Sequence, residues 1–258
     1  MSLKRILAVS RVSILELFRR RDVYAALILV LVLSIPLSCI NFFGVEGIVR
    51  YIREISLLLI WVFSIIITIT NAARQIPGEI QRRTIYPLLS KPIGRGELVI
   101  GKFLGATAAS TGALLIFYAL FIVLTGIKSQ SWISSALLQG IALHVCFVIL
   151  VNAMTILGSL LLTPSANITC CLLVTVGILI FGAQLPETAA ASAAPVNIIT
   201  WVVNTVIPHF EFFDMRLRII HNRGTVNIGV FFTVIAYAAL YTSVFVSLAV
   251  AVFKRKRI

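Results

Sequence analysis

Residues 55–73 read ISLLLIWVFSIIITITNAA, residues 74–102 read RQIPGEIQRRTIYPLLSKPIGRGELVIGK, and residues 103–105 read FLG. The first piece carries no charge and is long enough to cross a bilayer, which takes about 20 mostly apolar residues as a helix. The second holds eight charged residues and three prolines. The third opens another apolar run that continues to residue 124. A charged, Pro- and Gly-rich segment held between two apolar spans is where a soluble partner would grip a membrane protein.

The rest of the chain supports this reading. Of 258 residues, 60% are hydrophobic and 12% are charged, against about 25% charged in soluble domains. No core in water absorbs that much apolar surface, so the solvent is lipid. The apolar runs are long and continuous, not the alternating segments of about ten residues that build a barrel. The expected class is therefore an all-α polytopic membrane protein, because helices satisfy their own backbone groups in lipid. Six spans are expected, at about 23–43, 55–73, 103–124, 135–162, 166–183 and 230–253. Pro36 predicts a kink in the first.

Charge sets the orientation. Six basic residues precede the first span, six lie in 74–102 and four in the tail (Lys254, Arg255, Lys256, Arg257), which is sixteen of the 22. Arg50, Arg53, Lys128, Arg216, Arg218 and Arg223 fall on the other side. Both termini are thus expected in the cytoplasm. This asymmetry explains the net charge of +13 without a polyanionic ligand, and nucleic acid is not an expected partner. Residues 1–21 read as an interfacial helix, with Leu3, Leu7, Ile14 and Phe18 near one face. The short apolar run 196–207 is expected at the outer surface, within an outer loop 184–229. No internal repeat emerges, which weakens an inverted-repeat transporter. No cleavable leader is evident, and Cys39, Cys146, Cys170 and Cys171 read as small packing residues inside apolar runs.

Several motifs bear on chemistry. Gly96 to Lys102 fits the start of a phosphate-binding loop, but Phe103 stands where a Mg²⁺-binding hydroxyl belongs, so nucleotide hydrolysis by this chain is not expected. Pro77 suits the first turn of a helix, and Glu79 near that helix start suits its dipole. Pro87, Pro92, Gly94 and Gly96 force turns before the third span. Gly101, Gly105 and Ala109, like Ala108 and Gly112, are spaced for close helix approach. They serve either packing within the subunit or a dimer seam. His144 lies deep in a span, where a titratable residue marks either a substrate or proton site or a neutral ring bonded to another helix. His209, Glu211, Asp214 and His221 offer metal-ligand types without a compact ligand spacing. No metal or catalytic residue is expected. Asn167-Ile-Thr169 matches a glycosylation sequon at a span boundary where no acceptor would be used.

Glu79, Arg83-Thr84-Ile85, Leu88 to Ile93, Arg95, Glu97 and Gly101-Lys102 together resemble the signature of ABC-2-type permeases, the membrane subunits of one class of ABC transporters. Ile207 to Asp214 also resembles a segment found before the last span in some members. Pro87 departs from the usual pattern. The resemblance implies that 74–102 is a coupling loop that docks on a separate ATPase. It makes Glu79, Arg82, Arg83 and Thr84 candidate docking residues, and Lys91, Arg95 and Lys102 inner-surface anchors. It further implies a non-catalytic permease subunit, with ATP and Mg on the partner ATPase and no cofactor on this chain. A second permease copy would complete the pathway, with export favoured and the plasma (inner) membrane of a prokaryote as location. The alternative is an integral-membrane enzyme such as a lipid-head-group transferase, which needs carboxylates or His gathered at one depth.

Overall fold

The computed structural model describes residues 10, 28, 44–81, 94–129, 133–184, 201–202, 204–205 and 207–256. The expected interfacial helix apart from residue 10, the first span apart from residue 28, the loop residues 82–93 and most of 184–206 lie outside them. The described residues are helical, with no strand among them. The helices are α1 (Gly44–Gln81), α2 (Arg95–Ser129), α3 (Ser135–Leu161), α4 (Pro164–Phe181), the short α5 (Arg216–Ile220) and α6 (Ile228–Arg255). Five of these, all but α5, are long and apolar enough to cross a membrane. They match the expected second to sixth spans. We call the end bearing Gln81, Arg95 and the C-terminal tail the tail end, and the opposite end, bearing Arg50 and residues 207–227, the loop end.

Local chemistry sets the helix boundaries. Glu97 in the first turn of α2 accepts the Gly94 backbone N–H at 3.2 Å, one half of a capping box. Ser134 caps α3 by accepting from the Leu137 N–H at 3.2 Å. Between α3 and α4 only Leu162 and Thr163 leave the helical conformation, and Pro164 then opens α4, where its missing N–H costs nothing. Asn227 caps α6 through the Gly229 N–H at 2.9 Å.

Helices α1 and α2 outrun the expected spans. Residues 74–81 and 95–102, expected in the loop, extend helices of 38 and 35 residues. At 1.5 Å per residue these are about 57 and 52 Å long, well beyond a hydrocarbon core of about 30 Å. Pro77 sits inside α1 and does not open a separate helix. It removes one backbone bond near the helix end, a loss that membrane helices tolerate where neighbours pack around it. The Gly96–Lys102 stretch is likewise helix, so it forms no phosphate-cradling loop.

Helix α3 is the hub, packing against α1, α2, α4 and α6. Helices α4 and α6 turn most of their surface outward. Two apolar cores follow. The loop-end core is rich in rings, including Trp61, Phe117, Tyr118, Phe147, Phe210 and Phe213. The tail-end core is built from smaller groups, with Ala72, Ala106, Ala153, Ala249, Val99 and Ile156 around Phe103 and Phe253. Gly101, Gly105 and Ala109 are buried, whereas Ala108 is exposed, so the first of the two small-residue faces serves packing inside the subunit. Two glycines of α3 are required by close approach. A Cβ on Gly140 would come within 2.7 Å of Ile219 Cδ1, and one on Gly158 would collide with the side chain of Asn167. Asn167 is fully buried and donates to the Thr155 carbonyl at 3.0 Å.

Candidate functional site

Ser64, Thr68, Asn71, Gln75 and Glu79 follow one another along α1 at steps of four, three, four and four residues, which keeps them on one helix face. That face points into the bundle: the first four are at most 4% exposed. Polar residues in such a position need partners, and α2 and α3 supply several. Asn71 Nδ2 lies 3.4 Å from the Ala106 carbonyl and 3.5 Å from Ser110 Oγ. Gln75 Nε2 donates to Asn71 Oδ1 at 3.2 Å. At the same depth Asn152 of α3 donates to Thr107 Oγ1 at 2.7 Å.

The stripe ends in an ion pair. Glu79 Oε1 meets Lys102 Nζ at 2.5 Å, with side chains 17% and 2% exposed. Lys102 is the largest of the fully buried side chains among the described residues. Glu79 closes α1 and Lys102 lies two turns into α2, so this pair bolts together the two stems of the segment 82–93. The expected docking and anchoring residues therefore separate. Glu79 and Lys102 face each other inside the protein. Arg95 donates to the carbonyls of Lys254 and Lys256 at 3.0 and 3.1 Å. Lys256 Nζ in turn donates to the Leu160 carbonyl at 2.9 Å. These carbonyls belong to helix ends that lack intrahelical partners, where basic side chains are favoured. Arg82, Arg83, Thr84 and Lys91 lie outside the described residues.

His144 occupies the loop-end core and is fully buried. Its Nε2 is 2.8 Å from Ser64 Oγ and its Nδ1 is 2.9 Å from Tyr118 Oη. Ser64 donates its one proton to the Trp61 carbonyl at 2.8 Å. The consistent arrangement has Nε2–H donating to Ser64 and Nδ1 accepting from Tyr118, a neutral imidazole satisfied on both nitrogens. The ring also stacks on Trp61 at 4.4 Å between centroids, and the Arg216 guanidinium lies 5.0 Å from the Trp61 ring.

A cap closes the loop end. Phe210, Phe213, Met215, Ile219 and Ile220 insert into the core. Gln139 grips the Val226 backbone twice, accepting its N–H at 2.8 Å and donating to its carbonyl at 3.2 Å. Arg50 and Arg53 of α1 donate to His221 Nε2 at 2.8 Å and Asn222 Oδ1 at 3.0 Å. The metal-ligand types of this segment are dispersed: Asp214 pairs with Arg216 at 2.7 Å, His209 meets Tyr237 and Asn204, and His221 meets Arg50.

Sequence reasoning missed the Glu79–Lys102 pair, the Asn71–Gln75 bond and the Gln139 clamp. The four-residue spacing of Asn71, Gln75 and Glu79 is a signal that would have found the stripe. Among curated proteins the chain has no match. The family model described as ABC-2 family transporter protein matches residues 38–258, which takes in every helix described above. A polytopic helical bundle whose second and third expected spans run on as braced stems of a charged segment therefore belongs to the ABC-2 transporter family.

Proposed function

We propose that this chain is the permease subunit through which an ABC transporter moves its substrate, outward across a prokaryotic plasma membrane. Energy comes from ATP and Mg²⁺ bound on a separate ATPase, and a second permease copy completes the pathway. The segment 82–93 is the docking element, with Arg82, Arg83 and Thr84 as its contact residues and Lys91 anchoring it at the cytoplasmic surface. Glu79, Lys102 and Arg95 act one layer deeper, bracing the stems.

The observation that carries this reading is the buried Glu79–Lys102 pair. A force applied to a slack loop would be lost in the loop. Here both stems are bolted at their base and continue unbroken as spans, so displacement of the docking element moves α1 and α2 together. ATP-driven closure of the ATPase pair would then tilt these two helices against α3 and switch the pathway between sides.

The test is purification of the tagged protein from its native cells in mild detergent, with identification of any ATPase that comes with it. Arg82→Glu with Arg83→Glu is expected to abolish association while leaving the permease folded. Retention of the ATPase at wild-type stoichiometry in that variant would remove the docking assignment. Absence of any ATPase from the wild-type preparation would remove the transporter-subunit reading.

A further inference from the structure

Three buried oxygens near the polar stripe have no hydrogen-bond partner among the described residues: Thr68 Oγ1, Gln75 Oε1 and Asn152 Oδ1. Their residues are 1%, 3% and 0% exposed. The stripe holds them at neighbouring levels. Thr68 and Gln75 lie one turn to either side of Asn71, which reaches Ala106 on α2. Asn152 reaches Thr107, the next residue of α2. Each amide already uses its nitrogen, Gln75 on Asn71 and Asn152 on Thr107. What remains, beside the Thr68 hydroxyl, is amide oxygen, for which the described residues supply no donor.

Lipid cannot supply that donor, and an apolar wall would leave each oxygen stripped of water at full cost. Buried water is the molecule that satisfies such groups, given a polar site with several partners. We propose that the seam between α1, α2 and α3 holds internal water at Thr68, Gln75 and Asn152, between the Ser64–His144 bond and the Glu79–Lys102 pair. A water-bridged contact exchanges partners without stranding a polar atom. The seam is thus where α1, moving together with α2, shifts against α3, whatever the transported substrate.

Hydroxyl-radical footprinting of the full-length protein in lipid nanodiscs reads this directly, because radicals formed on bound water label side chains beside it. Ile69 and Ile76 follow Thr68 and Gln75 in α1 and are 0% and 1% exposed, while Ile60 and Phe117 in the loop-end core are both 0% exposed. The expected result is labelling of Ile69 and Ile76 several-fold above Ile60 and Phe117. Equal, background labelling of all four would overturn the proposal. A second measurement uses a sign. Thr68→Val keeps shape and removes the hydroxyl. If water bonds that hydroxyl, the variant melts at lower temperature than the parent. An unchanged or raised melting temperature means a dry, unpartnered oxygen and also overturns the proposal.

Discussion

At the loop end, Trp61, His144, Phe147, Phe210 and Phe213 pack ring against ring, and a clamp of Gln139, Arg50 and Arg53 holds the covering segment. At the tail end, alanines and valines surround a lysine–glutamate pair, and polar atoms sit buried beside them. Interlocked aromatic rings admit few alternative packings. Small side chains present smoother helix surfaces, and a charge pair tolerates displacement only along directions that keep it together. The contrast sets an interlocked core under the cap against smoother helix contacts, braced by one ion pair, next to the segment 82–93, the arrangement the proposed coupling needs.

The largest expected effect tests the tail end. Lys102→Ala takes the ammonium away from the largely buried Glu79 carboxylate, and breaking a buried pair costs about 3–5 kcal/mol. Thermal unfolding in detergent should show this loss, and Lys102→Met with Glu79→Gln should recover most of it. If the single variant is as stable as the parent, the pair is not the brace described here. Next comes His144→Ala, which removes a stacked, doubly bonded ring from the loop-end core. Truncating buried large side chains costs about 2–5 kcal/mol, and tryptophan fluorescence should report the altered Trp61 environment. A wild-type melting curve for this variant would show the aromatic core to be looser than its geometry implies.

Gly140→Val forces a side chain into Ile219, and overpacking of this kind costs about 1–3 kcal/mol. Its signature is faster proteolysis of the segment 207–227 at unchanged helix content. Arg95→Ala is the smallest test, since hydrogen bonds from a charged group contribute about 1.5–3 kcal/mol when buried and less at this part-exposed site. Release of the tail, measured as faster carboxypeptidase digestion beyond Phe253, should precede any large loss of stability.

The helical class and the approximate places of all five described spans are legible because apolar length is a direct physical requirement of lipid. Residues 135–162 and 230–253 fall within two residues of the observed α3 and α6. The stems were not legible by that measure. Hydropathy treats Asn71, Gln75, Glu79 and Lys102 as water-seeking, but they pair inside the bundle, Gln75 with Asn71 and Glu79 with Lys102, and so continue the helices. Pro77 pointed to a helix start for the same local reason. The partner of Glu79 lies beyond the segment 82–93, and no local pattern announces a pair of that kind. His144 was singled out as a buried titratable residue, yet its partners Ser64 and Tyr118 come from two other helices and only packing reveals them.

Helix α1 runs unbroken from the arginines that hold His221 and Asn222 to the glutamate that holds Lys102. One helix thus carries a held contact at the loop end and another at the tail end. Thermodynamic linkage then works in both directions. Any ligand at the tail end that favours a new position of this helix must weaken or strengthen the Arg50 and Arg53 contacts. An antibody that prefers those contacts made changes the affinity of that ligand by the same factor by which the ligand changes the antibody's. The two faces of the membrane would sense each other through this one helix, with no diffusible messenger between them.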